Sequence, residues 1–475
     1  MSKRISFNAF EMNCIAHQSP GLWRHPQDRS TEYKDLEYWT DLAKILERGY
    51  FDGIFIADVL GIYDVYHHSA EHALTGAVQV PVNDPLQIVP AMAAVTQHLG
   101  FGVTTSISFE HPYPFARRLS TLDHLTKGRV GWNIVTSYLE SGSKNLGLKT
   151  QENHDDRYDI ADEYLEVLYK LWEGSWEQDA VLRDKQRGIF ADHRKVHPIQ
   201  HQGKYFTVPG IHICEPSPQR TPVLYQAGAS TRGQQFASQN AECVFIAPPS
   251  KTAAKKVVQG IRAKLVEQGR DPYSVKIYTL LSIVTDSSDA KAQEKFKEYQ
   301  SYGSYDGALT LLSGWSGVDF SQYQPTDKVE YIQTNAIQSL LDSYVNADPN
   351  RVWTIEEIAN WNSVGGNGPV LVGSAETVAD ALQEWVTETD VDGFNLAYIL
   401  AHQTFSDVVE FIVPELQKRG VYQTEYAHGT LREKLFGQGP YLPENHRGAG
   451  YRFGEKKIRL PKPVNPQSVF NQFTS

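Results

Sequence analysis

The sequence predicts an α/β protein folded as a TIM (β/α)8 barrel, with insertions after barrel strands and a C-terminal arm. Three observations carry that expectation. Eight short apolar runs alternate with stretches of helical periodicity along most of the 475 residues. The runs are apolar on both faces, as parallel strands covered by helices on two sides must be. No GxGxxG follows the first strand, where Asn8 to Met12 (NAFEM) holds no glycine, and this favours a closed barrel over an open doubly wound sheet.

Taken in order, the first strand is expected over 4–10 (RISFNAF). The helix after it places Leu36, Trp39, Leu42, Ile45 and Leu46 on one face and stops at Gly49. A buried strand over 51–57 ends at Asp58. The next helix opens with Asp84 as N-cap and Pro85 in its first turn, and closes at Gly100. Then come a strand over 101–107, a helix carrying Ala116, Leu119, Leu122 and Leu125, and a strand over 129–136 (RVGWNIVT). A long helix through Ile160, Tyr164, Leu165, Leu168 and Leu171 lies inside an excursion from about 138 to 215. Strands over 222–227, 242–247, 275–285 and 392–399 complete the set, with a second excursion from about 303 to 370. These boundaries give one barrel over 1–420 and an extension over 421–475, rich in Gly, Pro and aromatic residues, that wraps the barrel or a neighbouring subunit.

Composition narrows the function classes. No apolar stretch approaches the roughly 20 residues needed to cross a bilayer, and the N-terminus lacks a signal-peptide core, so neither a membrane span nor secretion is expected. Three cysteines without a CxxC are poor material for a disulfide framework, which points to the cytoplasm. A net charge of −11 disfavours nucleic acid as a partner. The basic run Lys456, Lys457, Arg459 and Lys462 sits among prolines and reads as an extended arm.

In a barrel of this kind the residue just past each strand faces the site. That rule selects Cys14, Asp58, Thr104 to Ser106, Asn133 with Thr136 and Ser137, and Ala227 to Ser230. The set is mostly neutral. No metal is expected, because HExxH, CxxC and clustered His/Asp motifs are absent, as are the GxSxG elbow and the phosphate-binding GxxxxGK[ST] loop. A pocket so poor in acids, bases and nucleophiles either only binds or takes its reactivity from an organic cofactor. The stretch QAGASTRG (226–233) reads either as a tight turn with Ser230 as N-cap or as an anion site at a helix start. His154, opening HDDRY (154–158), is likewise a capping histidine or a second anion anchor. Cys14 reads as a small buried hydrophobe; Tyr63, Tyr138 and Trp315 as packing or as substrate walls; His17 and His111 as structural histidines.

NAFEMNC (8–14), FIADVLGIYDVY (55–66), ARRLSTLDHLTKGRVGWNIVTS (116–137) and CEPSPQRTPVLYQAG (214–228) are similar to the bacterial-luciferase-like flavin monooxygenases, in the branch that oxidises nitrilotriacetate and dibenzothiophene sulfone. The resemblance spans about residues 4–450. It implies a TIM barrel that takes reduced FMN from a separate NAD(P)H-dependent flavin reductase and uses O2 through a flavin C4a-(hydro)peroxide. It would place Asp58, Thr104, Asn133 and Ser137 around the flavin ring, and His154, Tyr158, Ala227, Gly228 and Ser230 at the ribityl chain and phosphate. Cys14, His17, Tyr63, Gln79 and Tyr138 would line the substrate pocket. Long-chain alkane monooxygenases resemble this chain at the first four of those positions but carry histidine at the places of Tyr138 and Leu311. The Ser-Tyr-Leu run at 137–139 and GWSGVDF (314–320) look closer to enzymes acting on dimethyl sulfide. A pocket with Tyr and Leu in place of two imidazoles suits a small apolar substrate. Dimethyl sulfide is the first expectation, with an alkane, another organosulfur compound or the flavin itself as alternatives, and a non-catalytic flavin carrier as the rival class. A homodimer or tetramer is expected.

Overall fold

The computed structural model describes residues 3–148, 154–227, 231–329 and 352–452. Eight parallel strands close into a barrel: β1 (Ser6–Met12), β2 (Gly53–Ala57), β3 (Gly100–Ser106), β4 (Val130–Val135), β5 (Val223–Ala227), β6 (Cys243–Ile246), β7 (Lys276–Thr285) and β8 (Gly393–Ala397). Each pairs with its neighbours around the ring, β7 lying between β6 and β8, and β8 returns to β1 with Ser6 opposite Gly393. The eight expected strands are all present. β1 runs two residues further than the sequence suggests, because Glu11 and Met12 pair with Ile56 and Ala57. Glu11 is fully buried, and burial holds its carboxyl pKa well above the ordinary value.

Side chains alternate between two cores. Phe7, Ala9, Ile54 and Ile56 face the helices, where they meet Trp39, Leu42 and Leu46 of α1 (Leu36–Arg48). Phe10, Phe55, Tyr225, Tyr278 and Leu280 point inward and fill the barrel. The helix expected from Asp84 to Gly100 is shorter and broken. Asp84 does cap, accepting from the Leu86 N–H, but the stretch is a 3-10 turn (Pro85–Gln87) followed by a helix (Val89–Ala94), with Pro90 at the junction; Gly100 opens β3.

The first excursion holds α2 (His154–Tyr169), continued by a π-helical turn to Gly174, and two small antiparallel strand pairs. The second holds α3 (Tyr305–Ser316), a helix at Ile355–Asn362 and a short strand, Val370–Gly373, that the sequence reading missed. That strand adds to the far half of β7, with Ser282 opposite Val370. From the C-terminal stretch, Leu431 and Leu435 enter the lower end of the barrel beside Phe55 and Tyr225. Gly100 makes room for this, since a Cβ there would sit 2.5 Å from Leu431. Arg432 follows Leu431 into the interior and forms a two-point ion pair with Glu242 at 2.6 and 2.8 Å, both side chains nearly inaccessible. No helix among the described residues is long and apolar enough to cross a membrane.

Candidate active site

A cavity of about 280 Å³ opens at the C-terminal ends of the strands, on the barrel axis. Its floor is apolar, made by Phe10, Met12, Phe55, Phe245 and Leu280. The rings interlock: Phe10 and Phe245 lie 4.9 Å apart, Phe55 and Phe245 5.6 Å, and His17 stands edge-on to Phe10 at 4.5 Å. Polar groups sit above this floor at strand ends: Asp58 after β2, Thr104 on β3 and Asn133 on β4, with Ala227 closing β5.

Each polar group has a defined state. Asn133 donates its amide to Thr104 Oγ1 at 2.9 Å, while its own buried Oδ1 has no partner. Burial, with the negative charge of Asp84 added, pushes the Asp58 carboxyl up to about 7, so it exchanges a proton near neutral pH. His17 is driven down to about 3 by burial and is neutral. Its Nε2 lies 3.1 Å from the Gln18 amide nitrogen. Tyr138, Gln79 and Trp315 complete the wall, joined through Tyr63 just behind it: Tyr63 Oη lies 2.8 Å from Gln79 Oε1, 2.6 Å from Tyr138 Oη and 3.2 Å from Trp315 Nε1.

A family model described as luciferase-like monooxygenase matches residues 20–392. The chain belongs to the luciferase-like monooxygenases. It is 53% identical to a dimethyl-sulfide monooxygenase from Hyphomicrobium sulfonivorans, over 95% of this chain and 94% of that one. It is 49% identical to a long-chain alkane monooxygenase from Geobacillus thermodenitrificans strain NG80-2, over 95% and 99% of the two chains. Among solved structures it resembles a riboflavin lyase with modified FMN and substrate riboflavin, at a TM-score of 0.88 and 37% identity, covering 95% of this chain and all of that one. It is thus a monooxygenase of this family, whose structural neighbours include FMN-bound proteins and whose members use oxygen.

Of the residues singled out from sequence, Asp58, Thr104, Asn133, Ala227, His17, Gln79 and Tyr138 meet in this one luciferase-like cavity. Cys14 and Tyr63 are not on its surface. Cys14 is buried, its backbone bridged to Val82, and burial pushes its thiol up, so it is no thiolate. Leu311 is also behind the wall, packed with Tyr63, Val78 and Leu139, so of the Tyr138/Leu311 pair only Tyr138 alters the cavity itself. Ser137, in a left-handed conformation at φ 58°, donates to Ser106 Oγ at 2.7 Å, and Arg157 of α2 donates to its carbonyl. Tyr158 is buried on α2 against Phe236 at 5.4 Å, with the Arg232 guanidinium 5.3 Å over its ring. Gly228 and Ser230 lie outside the described residues, as does the side chain of His154. His111 caps the helix Pro112–Leu125, as a structural histidine should. Asn367 and the aromatic floor were not singled out from sequence, while Trp315, open to a packing or a substrate-wall role, lines the cavity. Alternation along β1 and β2 marks Phe10 and Phe55 as inward-facing, but nothing local marks a residue delivered from an insertion.

Proposed function

We propose that this chain is a cytoplasmic two-component monooxygenase that receives FMNH2 from a separate NAD(P)H-dependent flavin reductase and oxygenates a small apolar compound, dimethyl sulfide first among them. The observation that carries this reading is the cavity: an aromatic and aliphatic floor under a few neutral or neutralised polar groups, with no strong acid, base or nucleophile to do chemistry unaided.

The donor set fits a reduced flavin. The unpartnered Asn133 Oδ1 calls for a hydrogen-bond donor, which the N–H groups of a reduced ring supply. Asp58, Thr104, Asn133 and Ser137 are assigned to the ring side. Tyr158 and Ala227 are assigned to the ribityl chain and phosphate end together with His154, Gly228 and Ser230, and Arg232 beside Tyr158 adds positive charge there. Bound reduced FMN supplies two electrons and activates O2. Phe10, Phe55, Phe245 and Leu280 keep water from the reacting atoms, and Asp58 holds or releases a proton near pH 7. One oxygen atom enters a methyl C–H bond of the sulfide and the other leaves as water, taking up two electrons and two protons. The hemithioacetal then breaks its C–S bond to give methanethiol and formaldehyde.

Tyr138 in place of an imidazole keeps this part of the cavity wall neutral, which suits a small uncharged substrate. Incubation with FMN, a flavin reductase, NADH and dimethyl sulfide is the test. Sulfide-dependent formaldehyde is expected, and its absence would sink the substrate assignment. The likeness to a riboflavin lyase supports a second reading in which flavin itself is consumed; stoichiometric loss of flavin absorbance distinguishes it.

A further inference from the structure

The hydrogen bonds behind the cavity wall determine where the phenolic protons lie. Gln79 Nε2 is 2.6 Å from the His17 carbonyl oxygen, which fixes the nitrogen end of that amide. Gln79 Oε1 therefore faces Tyr63 Oη at 2.8 Å. An amide oxygen brings no proton, so the single Tyr63 proton occupies that line. Trp315 Nε1 donates to Tyr63 Oη from 3.2 Å. The remaining 2.6 Å contact, between the two phenols, is then bridged by the proton of Tyr138. Tyr63 donates once and accepts twice, which exhausts its capacity.

We infer that Tyr138, held by Tyr63, turns lone pairs and no proton toward the cavity, and that this wall selects sulfides against sulfoxides. The inference rests on the thioether reading above. A thioether sulfur is a poor acceptor and loses little against such a wall. A sulfoxide oxygen is a strong acceptor; it would leave its water partners and meet another set of lone pairs. Asp58, Thr104 and Asn133, which can donate in the same cavity, are assigned to the flavin ring, so the Tyr138 face left to the substrate is matched to the reduced form of the sulfur compound and disfavours forms already oxygenated at sulfur. Burial keeps Tyr138 protonated, with its pKa pushed up to about 12, so the wall is a neutral acceptor throughout the physiological range. Tyr63 does not touch the cavity and acts as a positioning residue.

Ligand-observed NMR titration of the oxygen-free, FMN-loaded protein with dimethyl sulfide and with dimethyl sulfoxide gives the affinity ratio. Wild type should prefer the sulfide by at least roughly tenfold, the worth of one hydrogen bond made or missed. In Tyr63→Phe the Tyr138 hydroxyl is free to turn inward and donate, so the preference should fall by about tenfold. Tyr138→Phe, with neither proton nor lone pair, should fall between the two. A ratio near one in wild type, or one unchanged in Tyr63→Phe, overturns the inference. Neutron diffraction on the deuterated wild type serves where a variant fails to fold. Deuterons on the Tyr63–Gln79 and Tyr138–Tyr63 lines are expected, and a Tyr63 deuteron facing Tyr138 overturns the inference. If the ratio holds while no sulfide is turned over, the proposed substrate falls and the proton assignment stands.

Discussion

Replacing Asp58 by asparagine should change how stability depends on pH, and the change can be worked out from the site. The carboxyl ends β2 half-buried in the cavity wall, where burial first and the Asp84 charge second raise it from 3.8 to about 7. Between those two values the folded protein holds a proton that the unfolded chain has released. Stability therefore falls as pH rises through this window, by about 1.4 kcal/mol per unit, and is flat above it. Three units would give about 4 kcal/mol; solvent screening of a partly exposed carboxyl reduces this to about 2 kcal/mol. An asparagine amide has no such titration, so Asp58→Asn should gain about 2 kcal/mol on wild type between pH 4.5 and 8. Urea unfolding of the FMN-free protein across that range measures it. Parallel pH profiles for the two proteins would refute a raised carboxyl at this position and, with it, a proton held there near neutral pH.

Other substitutions probe the scaffold and the wall. Gly131→Ala would put a Cβ 2.6 Å from the Tyr225 ring and 3.0 Å from the Val223 carbonyl, so its urea midpoint should drop by the equivalent of about 1–3 kcal/mol with an unchanged slope. Arg432→Met leaves Glu242 charged and buried without its partner; a loss of about 3–5 kcal/mol is expected, partly recovered when Glu242→Gln is added. Trp315→Ala opens the wall, and competition assays should show dibutyl sulfide gaining on dimethyl sulfide in kcat/KM by on the order of tenfold.

The barrel was legible because strands buried on both faces read as unbroken apolar runs, and glycine or proline punctuates the helices between them. β1 lies two residues further along than its sequence pattern suggests, because Glu11 is a buried acid inside the strand, a placement that composition does not reveal. Strand-end positions located Asp58, Thr104, Asn133 and Ala227, since the geometry of a parallel barrel fixes which residue faces its mouth. Cys14 shows the limit of that rule, and Tyr63 and Leu311 show the limit of carrying pocket positions over from the resemblance. They belong to loops and an inserted helix, where one residue's distance from the axis depends on packing between segments remote in sequence. Trp315 and Asn367 reach the cavity from more than 250 residues beyond Asp58, and only the folded chain brings them there.

Where reduced FMN binds decides the matter, and a crystal structure after an anaerobic soak with it is the decisive measurement. The ring should lie on the floor of Phe10, Phe55 and Phe245, with Asn133 Oδ1 within hydrogen-bond reach of a ring N–H and Asp58 and Thr104 at its edge. A ring found elsewhere, for example in the separate cavity of about 330 Å³ lined by Ile107, Glu110, His111, Arg157 and Phe206, would contradict it.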